Sequence, residues 1–448
     1  MKKAIWMAFA AAMLLACPAV QAQKVNKDSF LGKIAKSDAD IADAKKNGKA
    51  ATWINRGKLF YDAAVAPTKD IFVGMPVDGE GGLKLAWNEP QSEGSEVVFG
   101  KQYTTWIYPY VTVYIEAGRV AAWKQTQVVV ADAAAKAIEA YAKAYELDPK
   151  TVDKVKKGLD DVANFCSQAG NVGLDTNSYT EAADNYVLAY KAQSVCGTPE
   201  AQLLYYAGYL RTVTGNNNPA DFIEGSEYLS KALEAGYTDP EGMIYYYLYH
   251  CYYGQKDADK ANLLKAKDAL LAGWDVNPKN ERIVDGLISL YTIEEGLGDT
   301  QDLIGKIEGI LAENPDNVDM WFDRGRVYYA LKDYDESIAS FLKVVELNPD
   351  MYEGNYFLGV FYVVKGDDEN EKMNAASLTS TADWNAAYEK VNDIYRAALP
   401  WLEKAHELNP KSVDPLQFLK SLCFRLRDDE GMQAKYDHYN ELFKQLSE

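Results

Sequence analysis

His250, His406 and His438 are the only imidazoles in this 448-residue chain. No two of them form a His-x-x-x-His pair, and none falls in a Cys/His zinc spacing. No Gly-x-Ser-x-Gly elbow presents a serine nucleophile, no Gly-x-x-x-x-Gly-Lys-[Ser/Thr] loop cradles phosphate, and no Gly-x-Gly-x-x-Gly follows a strand. Asp38-x-Asp40-x-x-Asp43 opens like a calcium loop but lacks the glycine and the distal glutamate, so it reads as a solvated helix face. The chain holds 66 Asp and Glu, so paired carboxylates occur everywhere and carry no glycosidase signal. The expectation is a protein that is not an enzyme, with no cofactor and no metal. What remains is recognition chemistry. Trp87, Tyr103, Trp106, Tyr108, Tyr110, Tyr114 and Trp123 crowd one short stretch. Such rings either pack as a small core or present an aromatic surface, with Trp87, Trp106 and Trp123 its candidate platform for a protein edge or a sugar ring.

The elements that must position these residues are mostly helices, and they repeat. One copy reads Trp321-x-x-Arg324-Gly325-x-x-Tyr328, then Ser337-x-x-x-Phe341-x-x-Val344, then Pro349, with Pro315 34 residues earlier. A large residue at the fourth position and an aromatic at the eleventh share a helical face. Small residues at the eighth and twentieth let two helices approach. The closing proline stops the second helix, because it lacks an N–H and its ring clashes inside a helix. Trp53-x-x-Arg56-Gly57-x-x-Phe60 resumes the pattern and continues at Ala137-x-x-x-Tyr141-x-x-Ala144, ending at Pro149. Template matching gives about eight units in all.

This pattern resembles the tetratricopeptide repeat (TPR) family, over nearly all of residues 50–66 and 131–446. The resemblance implies an all-α fold: a right-handed superhelical solenoid of helix–turn–helix units. Ala398-Leu399-Pro400-Trp401-Leu402-Glu403-Lys404-Ala405 also resembles exported TPR proteins of Gram-negative anaerobic bacteria. In the family, certain first-helix positions face a concave groove. In the sixth unit these are Asp319, Phe322, Arg326, Tyr329 and Ala330; in the seventh, Glu353, Tyr356, Val360, Val363 and Val364. The Lys/Asn clamp by which chaperone-binding members hold a C-terminal carboxylate is absent from the units whose register is secure. Phe322, Arg326, Tyr329 and Tyr356 are therefore the expected partner-binding residues, suited to a peptide held by packing. The alternative is that Phe322 and Tyr356 merely pack on adjacent first helices.

The repeat is interrupted twice, each time between the two helices of a unit. Residues 67–130 change character: Gly79-Glu80-Gly81-Gly82 and two hairpin patterns predict an inserted antiparallel sheet of about three to five strands. The insertion splits the first unit into 49–66 and 131–150. The second interruption, near 367–387, is polar; Asp367 to Thr381 reads as a mobile loop and Asp383 as the start of an extended second helix. Residues 23–48, with Phe30, Leu31, Ile34 and Ile41, read as an N-terminal capping helix, and 151–448 as units two to eight.

Met1-Lys2-Lys3, an apolar run from Ala4 to Ala16, and Val20-Gln21-Ala22 read as a secretory signal peptide over 1–22, with the mature chain starting at Gln23. A rival lipobox reading would lipidate Cys17; Leu15 and Pro18 fit it poorly. The expected location is periplasmic or outer-membrane-associated, with anchoring through Cys17 as the alternative. Cys166, Cys196, Cys251 and Cys423 read as free, buried thiols, the first two at opposite ends of a hairpin. The net charge is −19, and removing Lys2 and Lys3 leaves −21. That acidity argues against nucleic acid as partner, since the phosphate backbone needs a basic footprint. A basic or apolar protein or peptide partner fits better. The functional expectation is an exported, non-catalytic interaction scaffold; the runner-up is a carbohydrate-binding surface protein with aromatic platforms.

Overall fold

The computed structural model describes residues 25–447, apart from residues 99, 295, 296, 298, 299, 378 and 379. The leader read at 1–22, the new terminus at Gln23 and Cys17 lie outside the described residues. The chain divides into two compact units, one through Thr238 and one from Asp239.

The first unit opens with α1 (Lys27–Ala42), whose first turn is capped by Asn26 accepting from the Ser29 amide. None of its residues is fully buried. Arg56 holds it instead, donating to Ser37 and pairing with Asp38 at 2.7 Å. That pair, with Lys46 on Asp40 at 2.6 Å, engages the carboxylates of the calcium-like stretch. Helix α2 (Ala50–Val65) follows, then the short α3 (Leu83–Trp87). Strands β1 (Ser92–Val98), β2 (Lys101–Ile107), β3 (Val111–Glu116) and β4 (Arg119–Gln125) form one antiparallel sheet in that order. Ala117 and Gly118 both have positive φ, which closes the β3–β4 hairpin with the backbone twist such two-residue turns need. Then come α4 (Ala133–Leu147), α5 (Val152–Asp175), α6 (Tyr179–Ser194), α7 (Ala201–Thr214) and α8 (Ala220–Glu234). Phe60, Ala137, Tyr141, Val155, Leu159, Tyr186 and Ala207 belong to one continuous core through these helices.

The second unit contains α9 (Met243–Tyr253), α10 (Ala261–Val276), α11 (Glu281–Ile293), α12 (Thr300–Glu313), α13 (Val318–Ala330), α14 (Tyr334–Leu347), α15 (Tyr352–Ala375), α16 (Thr381–Leu408), α17 (Asp414–Arg425) and α18 (Met432–Ser447). Helices pair in sequence as α-hairpins in both units, eight pairs among the described residues, with the sheet inserted into the first pair. The stretch read as a loop from Asp367 to Thr381 is mostly helix. Helix α15 runs through Ala375 and α16 starts at Thr381. Packing between the extended halves is the reason: Gly366 lies against the Tyr395 ring, and the Tyr395 hydroxyl donates to Asp367 at 2.6 Å. Helix α16 also passes through Pro400 without ending.

The template residues act through two recurrent contacts. In three units the fourth-position side chain ties the first helix to the turn before it. Trp53 Nε1 donates to the Asn47 carbonyl at 2.6 Å, Trp321 Nε1 to Pro315 at 2.8 Å, and Asn355 Nδ2 to Pro349 at 2.9 Å. The eighth position must be small because the second helix presses a large side chain onto it. A Cβ at Gly57, Gly208, Gly325 or Gly359 would sit 2.9, 2.5, 2.4 or 2.6 Å from Tyr141, Leu229, Phe341 or Leu402. Where the twenty-seventh position is bulky, as at Val344, the next helix supplies the room with Gly354.

Candidate functional site

The expected partner-binding residues lie in the second unit. Phe322, Arg326 and Tyr329 follow one another at i, i+4 and i+7 on α13, so they share a helical face. Phe322 is half-buried, with its ring edge-on to Phe341 at 4.9 Å and to Phe357 of α15 at 5.7 Å. Tyr329 is 39% exposed and stacks on the buried Phe361 at 4.5 Å, with an interplanar angle of 20°. Tyr356 stacks on Tyr352 at 5.8 Å and meets Phe418 of α17 edge-on at 6.2 Å. The rings thus form one aromatic strip across the first helices α13, α15 and α17. Phe322 and Tyr356 pack on adjacent first helices, and Tyr329 is the ring that faces solvent most. Sequence reading missed Phe357, Phe361 and Phe418. The i, i+4 spacing of Phe357 and Phe361 is the signal that marks them as a shared face.

Arg326 is not a free cation. It pairs with Asp285 of α11 and lies 3.5 Å from Asp323 on its own helix. Asp323 is buried. Burial, then the neighbouring Asp319 and Glu281 charges, push its carboxyl up to about 7. Burial in turn lowers the Arg326 guanidinium from its ordinary value, against the pull of Glu281. This set carries more carboxylates than cations, and no sequence motif announced it. Asp319, another groove position, is taken by Lys279 at 2.8 Å.

The candidate platform in the inserted sheet is placed differently from the aromatic-surface reading. Trp87 and Trp106 are buried and Trp123 is half-buried, packed with Ile71, Met75, Leu83, Val113 and Val120 into a small separate core. Trp87 meets Tyr108 edge-on at 5.2 Å, and its Nε1 donates to the Lys69 carbonyl. Residues 71–87 supply the second layer that the sheet needs in order to bury one face, and the rings fill it. They are core, not a platform.

None of Cys166, Cys196, Cys251 and Cys423 is in a disulfide. Burial pushes Cys166 up to about 12 and Cys423 to about 11, well away from thiolate reactivity. Cys196 is only half-buried, against the expectation of four buried thiols. His406 and His438, assigned to different units by sequence, are close enough that the charge of one disfavours the other; burial is the larger cause of the lowered His406. No group of three or more His, Cys, Asp or Glu is set to hold a metal among the described residues. No described helix is long and apolar enough to cross a membrane.

Residues 318–351 match the family model "Tetratricopeptide repeat". The DnaJ protein P58IPK homolog A of rice, Oryza sativa subsp. japonica, is 27% identical over 265 residues, covering 56% of this chain and 47% of that protein. This chain thus spans about half the length of the curated relative it matches. Among solved structures, the C-terminal part of a TPR repeat-containing protein from Cytophaga hutchinsonii aligns with TM-score 0.38 and 16% identity, over 62% of this chain and 94% of that one. A TPR repeats protein from Bacteroides fragilis aligns with TM-score 0.29 and 15% identity, over 58% of this chain and 97% of that one. Proteins of this family are generally non-catalytic scaffolds for protein–protein interaction. Residues 318–351 thus match a tetratricopeptide repeat, and each of the two units is built mainly of helices paired as hairpins, with a small antiparallel sheet near the N-terminus.

Proposed function

We propose that this protein is an exported, non-catalytic scaffold that holds a peptide segment of another protein against the first-helix face of its second unit. The observation that carries the reading is the aromatic strip across α13, α15 and α17, with Tyr329 at its exposed end and Arg326 one turn away. A strip of rings across successive helices gives an extended partner apolar contact at a low cost in side-chain entropy. Asp285 and Asp319 are already paired, and Glu281 with the buried Asp323 leaves an excess of carboxylates that favours a partner with basic residues beside its apolar ones. The excess acidity disfavours nucleic acid.

Tyr329→Ala separates recognition from packing, because much of that ring faces solvent. Proteins retained from an envelope extract by the wild-type chain should be lost from the variant, with a cost of about 2 kcal/mol if Tyr329 is central. The melting temperature should barely move. A lower melting temperature with retention unchanged would make Tyr329 a packing residue and reject the site.

Export has its own test. The secreted form should begin at Gln23, and fatty acid fed to expressing cells should not label it. A labelled protein beginning at Cys17 would replace periplasmic release by a lipid anchor.

A further inference from the structure

The turn between α1 and α2 carries a reactive pair of residues. Asn47 is the one asparagine of the sequence that precedes a glycine. The Lys49 amide donates to the Lys46 carbonyl at 3.1 Å, which closes a tight turn with Asn47 and Gly48 at its two central positions. Both residues are exposed. A Cβ on Gly48 would meet nothing within 4 Å, so the space beside the Asn47–Gly48 peptide is open. Among the described residues, neither the Asn47 side-chain amide nor the Gly48 N–H makes a hydrogen bond. A central N–H of a turn has no partner within the turn, which is why that of Gly48 is left free.

The pair also sits where the first unit is tied together. The Asn47 carbonyl accepts from Trp53 Nε1 at 2.6 Å, the contact that fastens α2 to the turn before it. In two other units the equivalent carbonyl, again six residues before the donor, belongs to Pro315 or Pro349. Proline has no side-chain amide to react. Of these three ties, only that of the first unit rests on an asparagine followed by glycine. The helix on the far side of the turn is lightly held. No residue of α1 is fully buried, and it is fastened by Ile34 against the core and by Arg56 on Ser37 and Asp38.

We propose that Asn47 is a modification site, deamidating without an enzyme to isoaspartate, and that this change releases α1 from the first helix pair. The Gly48 amide gives up its proton to water or hydroxide, and its nitrogen attacks Cγ of Asn47. The Cγ–Nδ2 bond breaks and ammonia leaves, closing a five-membered succinimide. Water then opens the ring at one of its two carbonyls. Opening at Cγ gives aspartate in an ordinary chain. Opening at the main-chain carbonyl gives isoaspartate, in which the chain runs through Cβ and Cγ and the former carbonyl becomes a free carboxylate. No oxidant or reductant takes part. The rerouted chain has one more backbone atom between Lys46 and Lys49, so the turn loses its closing geometry. The carboxylate left beside Trp53 is no longer part of the chain leading into α2, so Trp53 can hold it without holding the turn.

The test incubates the full chain in mildly alkaline and in mildly acidic buffer. Isoaspartate is mapped by peptide mass spectrometry and by labelling with an isoaspartyl methyltransferase. It should accumulate at residue 47 ahead of every other asparagine, and faster in alkali, because the attacking amide must lose its proton. Gly48→Val, whose side chain has open space to enter, should slow the reaction by about tenfold or more, a rise of about 1.4 kcal/mol in the barrier. The aged wild type should show faster amide hydrogen exchange through α1 and the first turn of α2. Asn47→Asp, which gains the charge in an ordinary chain, should exchange like fresh wild type. An unmodified residue 47 in the aged chain would overturn the site. Isoaspartate with unchanged exchange in α1 would overturn the release. So would Asn47→Asp loosening α1 as much as ageing does, since charge and not the rerouted chain would then be the cause.

Discussion

Gly325→Leu is expected to cost about 3 kcal/mol or more and to loosen α13, α14 and the helices beside them together. Even a Cβ at residue 325 would lie 2.4 Å from the Phe341 ring. That ring cannot withdraw, because it is fully buried among Val344, Leu358 and Phe361 and meets Phe322, Phe357 and Phe361. The backbone must move instead. The Gly325 carbonyl accepts from the buried Ser337 hydroxyl at 2.8 Å, so separating the helices also leaves that hydroxyl without its partner. The measurement is chemical denaturation, with amide hydrogen exchange to map the spread. Faster exchange should reach α15 through the shared aromatic contacts. Exchange that changes only in the turns next to Gly325 would show that neighbouring hairpins do not stabilise one another.

A pH-dependent penalty is expected from Asp323. Its folded value near 7 lies well above the ordinary 3.8, so between those values the folded state binds more protons than the unfolded one. Stability from this group is therefore fullest below about pH 4 and falls as the pH rises towards 7. A shift of about three units corresponds to at most about 4 kcal/mol, at 1.36 kcal/mol per unit. The nearby Arg326 guanidinium, 3.5 Å away, offsets part of this, so a difference of about 1–3 kcal/mol is expected. Asp323→Asn removes the charge and keeps the shape. The variant should be more stable than wild type at pH 8, and the two should converge near pH 4. If the variant is instead less stable at pH 8, Arg326 holds Asp323 ionised and the pair stabilises the fold.

The two effects act on the same helix for different reasons. Gly325 faces α14, where shape decides. Asp323 is buried close to Asp319, Glu281 and Arg326, where charge decides. A partner that brought a basic residue to this region would relieve the Asp323 penalty as it bound. Partner affinity and stability are therefore linked through one carboxyl in the proposed reading.

The repeat itself was legible in the amino-acid sequence, because each template position answers a local demand. The fourth-position side chain reaches back to the preceding turn, as Trp53, Trp321 and Asn355 do, and the eighth-position glycine meets a ring or leucine exactly one hairpin away in register. Apart from Gly57–Tyr141 and Gly359–Leu402, which insertions separate, these contacts lie within about one repeat of the chain, so spacing exposes them. The sheet was legible too, from turn residues such as Ala117–Gly118 and the alternating runs beside them. Helix formation through 367–375 was not legible. It depends on Tyr395 packing against Gly366 across the hairpin rather than on the polar composition of the segment.

The tertiary structure alone decided which aromatic rings are core and which are surface. Trp87 and Trp106 looked available for recognition, yet both are buried where residues 71–87 pack on the sheet. Tyr329 and Phe361 are both ring residues on first helices, yet one is 39% exposed and the other 3%. Ring type and spacing cannot tell these apart, since burial depends on what a distant segment lays over the ring. The same holds for charge: Asp323 and Arg211 are ordinary letters in an acidic chain until neighbouring helices remove them from water.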